Sequence, residues 1–192
     1  MNYLAHFYLS GSHEHLILGN FIADSVKGKQ MEAYSGELQK GIRMHRAIDF
    51  YTDTHPITSR SKDRLRAEFN HYSGVIVDIF YDHFLAKYWN EFSKEPLPEY
   101  SQRIYSLLEA HSEKFPEHPR YMLPFMKKHD WLMAYKDVKG IRIVLAGMAQ
   151  RVKSNSKMEK ATDALQKDYD LFEEDFRKFF PELILHTEEF RK

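Results

Sequence analysis

The chain has no cysteine and no net charge. The missing thiols exclude a disulfide framework, a thiolate metal site and a cysteine nucleophile, a usage that fits a cytoplasmic protein. With 28 basic and 28 acidic side chains cancelling, no global pull towards nucleic acid or a membrane is expected. No apolar run is long enough to cross a bilayer. The start, Met1-Asn2-Tyr3-Leu4-Ala5-His6, lacks the basic residues and long apolar stretch of a signal peptide. Glycine and proline are sparse, with 8 and 7 copies, and fall between periodic segments. No glycine-rich phosphate loop occurs, which argues against a P-loop enzyme.

What is present is apolar, aromatic and rich in histidine. The 192 residues suffice for one domain, residues 1–192, with a sizeable core. Aromatic side chains make up 15%, and the 14 Phe and 12 Tyr can build that interior. Eleven histidines are the unusual count. Any metal must be held by His, Asp, Glu or Asn, a donor set that suits manganese, magnesium, iron or zinc.

Helical periodicity recurs along the chain and sustained strand alternation does not, so an all-α, multi-helix bundle is expected. A short apolar start covers Asn2 to Leu9. Ser12 is expected to cap a helix to about Val26, ended by Gly28, and Ser35 a second helix to about Asp53. A third helix is expected from Pro56 to Phe69, a buried one from Ser73 to Phe92, and another opened by Pro96 and Pro98. Phe115 to Pro124 holds three prolines and reads as a loop. Short helices are expected near His129 to Tyr135 and from Asp137 to Arg151. The link Lys153-Ser154-Asn155-Ser156 is polar. A closing helix carries the stripe Leu165, Tyr169, Phe172, Phe176 and Phe179, a core pattern, and Pro181 begins a last short helix.

Polar residues on faces that should be buried carry the chemistry. The run Val75-Ile76-Val77-Asp78-Ile79-Phe80-Tyr81-Asp82-His83-Phe84-Leu85 is apolar almost all round, yet Asp78 and Asp82 share one face and His83 lies beside it. Buried carboxylates are normally paired, hydrogen-bonded or bound to metal. His45 and Asp49 share the inward face of a second helix, and Asn20 and Asp24 that of a first. Each pair can deliver two ligands to a point between packed helices. Each also has a structural reading. His45 and Asp49 can form an internal hydrogen-bonded pair, Asp24 can end its helix exposed, Asn20 can be a packing residue, and Arg43 or Arg46 can neutralise the acids in a salt-bridged core.

His6, in the apolar start, can reach a buried site, whereas His13, His15, His71, His111, His118, His129 and His186 read as surface residues. Asp53 and His55 form a possible rim. The run Arg60-Ser61-Lys62-Asp63-Arg64-Leu65-Arg66 is either a solvated face or a dock for an acidic partner.

Four blocks together carry a family resemblance: Met1 to His6, Gly19 to Asp24, Gly41 to Asp49, and Asp78 to Leu85. In order and spacing they resemble the acyl carrier protein phosphodiesterase family, and Trp131-Leu132 and Gly147-Met148-Ala149 extend the likeness more loosely. The resemblance implies an all-α fold like that of the HD-domain phosphohydrolases. It implies a divalent metal, manganese first, and cleavage of holo-acyl carrier protein to apo-acyl carrier protein and 4'-phosphopantetheine. His45 is followed by Arg46, not by the aspartate of the usual HD signature; the aspartate comes one turn later, at Asp49.

On spacing and resemblance together, His45, Asp49, Asp82 and His83 are the expected metal ligands, with Asp24 or Asp78 as a further ligand or base. Asp24 is the preferred base, and Arg46 is expected to neutralise phosphate. His6, Asn20 and Asp53 stand behind the ligands. Arg60, Lys62, Arg64 and Arg66 are the expected dock for the acidic carrier, with no nucleic acid or membrane partner. Two rivals remain: an HD-like phosphohydrolase of a small nucleotide or phosphodiester, and a non-catalytic helical metal-binding or scaffold protein.

Overall fold

A computed structural model describes residues 1–152 and 156–192, and every regular element among them is helical. Lys153, Ser154 and Asn155, expected in a polar link, lie outside the described residues.

The apolar start is itself a helix, α1 (Tyr3–Leu9), whose cap residue Asn2 accepts from Tyr3 N at 2.7 Å. Helix α2 (Glu14–Ile22) is shorter than its apolar spacing suggests. His13 rather than Ser12 stands at its N-cap, and the chain tightens into a 3-10 turn over Ala23–Ser25. Asp24 and Ser25 are poor in helix interiors because their side chains compete for nearby backbone groups. Helix α3 (Gly36–Thr54) starts where Ser35 predicts, its hydroxyl accepting from Leu38 N at 3.5 Å. Helix α4 (Pro56–Phe69) places its proline in the first turn, where the missing N–H has no helical acceptor to lose.

Helix α5 (Ser73–Lys87) ends earlier than expected. Tyr88 leaves helical geometry at φ −102° and ψ 23°, and a single turn, α6 (Trp89–Phe92), follows. Helix α7 (Leu97–Ala110) opens at the Pro96–Pro98 pair. The stretch expected to be a loop is instead helix α8 (Glu117–Lys128). Pro116 is its N-cap and Pro119 lies in its first turn, so neither removes a helical bond. Only Pro124 does, and the buried stripe Pro119, Met122, Leu123 and Met126 outweighs that loss.

Helix α9 (Trp131–Ala134) and helix α10 (Val138–Arg151) are capped by Asp130 and Asp137, which accept from Met133 N at 3.4 Å and Gly140 N at 2.8 Å. The closing stripe is divided between α11 (Ala161–Lys167) and α12 (Tyr169–Thr187), with a break at Asp168. Pro181 lies inside α12 and begins no new helix. The buried neighbours Phe179, Phe180 and Leu183 hold that turn against the core.

Helix α5 is the axis of the core. Phe80 meets Phe172 with ring centroids 5.1 Å apart, and Tyr81 and Phe84 each meet Phe176 at 5.8 Å, which seats α12 along α5. Helices α2 and α3 cross in backbone contact. A Cβ on Gly19 would fall 2.8 Å from Gly41 Cα, and one on Gly41 would fall 2.8 Å from Leu16 O. Only glycine at both positions permits that approach. It brings the end of α2 and the middle of α3 to one point, beside α1.

Candidate metal centre

At that point His6 (α1), His45 (α3) and Asp49 (α3) offer one donor atom each, all within 4.8 Å of one another. The two imidazoles are stacked, 4.2 Å between centroids and 17° between planes. His45 Nε2 lies 3.0 Å from Asp49 Oδ2 and 3.1 Å from Asp24 Oδ1. His6 Nε2 lies 3.2 Å from Asp49 Oδ1 without hydrogen-bond geometry, so this buried nitrogen has no hydrogen-bond partner. The buried Nδ1 of His45 has none either.

The other nitrogen of His6 is fixed. Asn20 Nδ2 donates to Ser10 Oγ at 2.9 Å, and Ser10 Oγ donates to His6 O at 2.9 Å. That leaves Asn20 Oδ1 to accept from His6 Nδ1, at 2.9 Å. The network therefore sets the tautomer: hydrogen on Nδ1, and a free lone pair on Nε2, 3.2 Å from Asp49 Oδ1.

The electrostatics agree. Burial and the charge of His45 hold the His6 pKa down, at about 4, so His6 is neutral at pH 7. Burial also pushes His45 down, but hydrogen bonds to Asp24 and Asp49 outweigh it and lift the pKa to about 9. Burial pushes Asp49 up, and the hydrogen bond from His45, with the adjacent His6 imidazole and the Met1 nitrogen, overcomes it and holds the carboxyl well below the usual range. The hydrogen bond from His45 holds Asp24 below its usual value. A neutral imidazole, a protonated one and two carboxylates arranged this way suit a divalent cation that displaces one proton.

The cluster lies at the polar end of a cleft of about 710 Å³. Asp53 and Asp78 line the same end, and Asp78 Oδ1 is 2.9 Å from the Met1 nitrogen. Met122, Phe125, Trp131, Ile143, Val144 and Met148 line the rest. Arg151, its guanidinium 5.4 Å above the Trp131 ring, is the only arginine on the wall among the described residues.

Not every expected ligand reaches this point. Asp82 is fully buried and caps α1, accepting from Asn2 N at 3.2 Å, Leu4 N at 2.8 Å and Ala5 N at 3.4 Å. His83 lies on another face of α5. Its Nδ1 faces Tyr135 O and its Nε2 the Tyr169 hydroxyl, both at 2.8 Å, so neither nitrogen is free. Arg46 is off the cleft wall and donates to Val26 O at 2.8 Å. The expected dock is paired internally: Arg60 and Arg64 with buried Asp175, Lys62 with Asp53, and Arg66 with Asp63. Sequence reasoning placed His6 behind the ligands and assigned Arg151 no role; it also read His118 and His129 as plain surface, although both line the cleft. The signal for His6 was a lone imidazole in an otherwise apolar start.

Fold and site define an all-α protein with a histidine–carboxylate centre at the base of a deep, mostly apolar cleft. The family model for acyl carrier protein phosphodiesterase matches residues 1–183, and the chain belongs to that family. An acyl carrier protein phosphodiesterase of Photorhabdus laumondii is 32% identical over 189 residues, covering 98% of this chain and 96% of the relative. One of Enterobacter sp. is 32% identical over 190 residues, covering 97% of each chain. One of Yersinia pestis is 30% identical over 185 residues, covering 96% of each. No solved structure matches the chain.

Proposed function

We propose that this chain is a metal-dependent phosphodiesterase that releases 4'-phosphopantetheine from the serine of holo-acyl carrier protein. One observation carries the metal dependence: the buried Nε2 of His6, held by Asn20 in the tautomer that leaves it without a hydrogen bond. An internal ion-pair network without a cation would leave that nitrogen unsatisfied, which weighs against a scaffold. The relatives' names supply the substrate. The cleft suits it, with a polar end for a phosphodiester and an apolar length for an extended arm.

His6, His45 and Asp49 hold the cation in this reading, manganese first. A divalent ion bound there supplies Lewis acidity at a phosphoryl oxygen and acidifies water near neutral pH. Asp24 stays ionised, and its side chain is 79% exposed, so it can accept the proton of the attacking water at a carboxylate oxygen. The water oxygen bonds to phosphorus as the bond to the serine oxygen breaks, in line, and the departing serine oxygen takes up a proton from solvent. Asp78 is held by the Met1 nitrogen and keeps the rear of the site polar. Arg151 brings positive charge to a cleft that also carries Asp24, Asp49, Asp53 and Asp78.

Mass spectrometry of holo-acyl carrier protein incubated with this protein tests the reading. Conversion to the apo form is expected with manganese and not with chelator. An unchanged carrier mass under both conditions overturns it.

The protonation states add a pH prediction. The folded pKa of His45, about 9, lies above its usual 6.5. In the metal-free protein its contribution to stability is therefore fully present below pH 6.5 and lost as pH rises through 9. Metal must displace that proton, so the trend reverses on binding. Apparent affinity should tighten by up to about tenfold per pH unit across this range. Calorimetric manganese titrations in buffers of differing ionisation enthalpy should show proton release; affinity independent of pH between 6.5 and 8.5 would contradict the assignment of His45.

A further inference from the structure

The basic run of α4 is spent on internal partners, but another face carries free cations. Helix α8 presents His118, Tyr121, Phe125 and Lys128 at spacings of three and four, which places them on one stripe. Helix α10 presents Lys139, Ile143, Gly147 and Arg151, each four apart, along one slanting ridge. Both rows are basic at the ends and uncharged in the middle. Tyr121 is 71% exposed, Phe125 45% and Ile143 74%, large values for such side chains. The rows meet at the cleft, whose wall includes His118, Phe125, Ile143, Gly147 and Arg151. A Cβ built on Gly147 meets nothing within 4 Å, so the wall is open there.

Among the described residues, the cations at the row ends have no acidic partner. Their neighbours Lys127 and Arg142 pair with Glu109 and Asp163, but Lys128, Lys139 and Arg151 form no salt bridge among the described residues. Across the site the wall carries Asp24, Asp49, Asp53 and Asp78. An acidic partner is therefore repelled from one side of the cleft and drawn to the other.

We infer that the α8–α10 rim is the docking surface for an acidic carrier protein, whose prosthetic arm enters the cleft between the rows. The inference rests on the proposed substrate. Aromatic residues at the middle of a patch with charge at its edge form the usual anatomy of a protein interface, and the peripheral charges set approach and register. A second copy of this chain fits less well, because a two-fold contact through this rim would face like charges.

Binding to the metal-free protein tests the surface apart from turnover. Holo-acyl carrier protein is titrated against wild type, a Lys128→Glu/Lys139→Glu double variant, and Arg66→Glu as a control on the paired face of α4. At low salt the double variant should bind about tenfold more weakly or worse, and the control should match wild type. Equal affinity in the double variant, equal weakening in the control, no carrier binding by wild type, or self-association through this rim would each overturn the inference. Manganese-dependent turnover by wild type is measured in parallel. Carrier binding that depends on Lys128 and Lys139 but gives no turnover leaves the dock standing and removes the hydrolase reading.

Discussion

His45→Ala is expected to fold, to lose its response to manganese, and to hydrolyse holo-acyl carrier protein at least about a thousandfold more slowly than wild type. His45 Nε2 is the atom nearest both Asp24 and Asp49, at 3.1 and 3.0 Å, so its removal takes one donor of three and the group that orients the carboxylates. Folding should survive, because the core of α3 is carried by Ile42, Met44 and Ile48, which do not touch the chemistry. The checks are a thermal shift with and without manganese and carrier turnover by mass spectrometry. Asn20→Ala gives the graded comparison. It keeps all three donors but frees His6 Nδ1 from its acceptor, so metal affinity should fall by about 10–100-fold rather than vanish. A His45→Ala protein that still gains the wild-type thermal shift from manganese would place the cation elsewhere.

The parts of this architecture that could be read in advance are those set by neighbours in sequence. Ser35 and Asp137 cap helices because a hydroxyl or carboxylate can reach an N–H three residues on. Pro56 opens α4 for an equally local reason. His45 with Asp49, and Asn20 with Asp24, were visible because a helical turn puts such pairs on one side. Helix α8 was hidden because prolines were read as breakers, when Pro116 and Pro119 occupy the positions that tolerate them.

The site was only half legible because periodicity gives the face of a residue, not what lies opposite. For Asp82 the missing fact is α1, whose N–H groups come from 77 to 80 positions away. For Arg60 and Arg64 it is Asp175, more than a hundred residues on. A buried acid in an apolar helix signals a partner, and a row of helix-terminal N–H groups meets the requirement as well as a cation does.

That equivalence makes Asp82→Ala the sharpest structural test. Removing the carboxylate leaves the buried N–H groups of Leu4 and Ala5 and the part-buried one of Asn2 without their acceptor. Each such loss costs about 1–3 kcal/mol. Burial offsets part of what the carboxylate gains: it pushes the Asp82 pKa up to about 7, against the pull of the Met1 nitrogen and of the same N–H donors. The net destabilisation should be about 3 kcal/mol, a fall of roughly 10 °C in the melting temperature of the metal-free protein. Helix α1 also carries His6, so its loosening should weaken metal binding and turnover together. Asp82→Asn keeps one acceptor oxygen and should recover part of both stability and activity, in the same order. Thermal denaturation without metal separates this from direct chemistry. An Asp82→Ala protein as stable as wild type yet inactive would return Asp82 to the reaction itself and leave the start of α1 held by something other than its carboxylate.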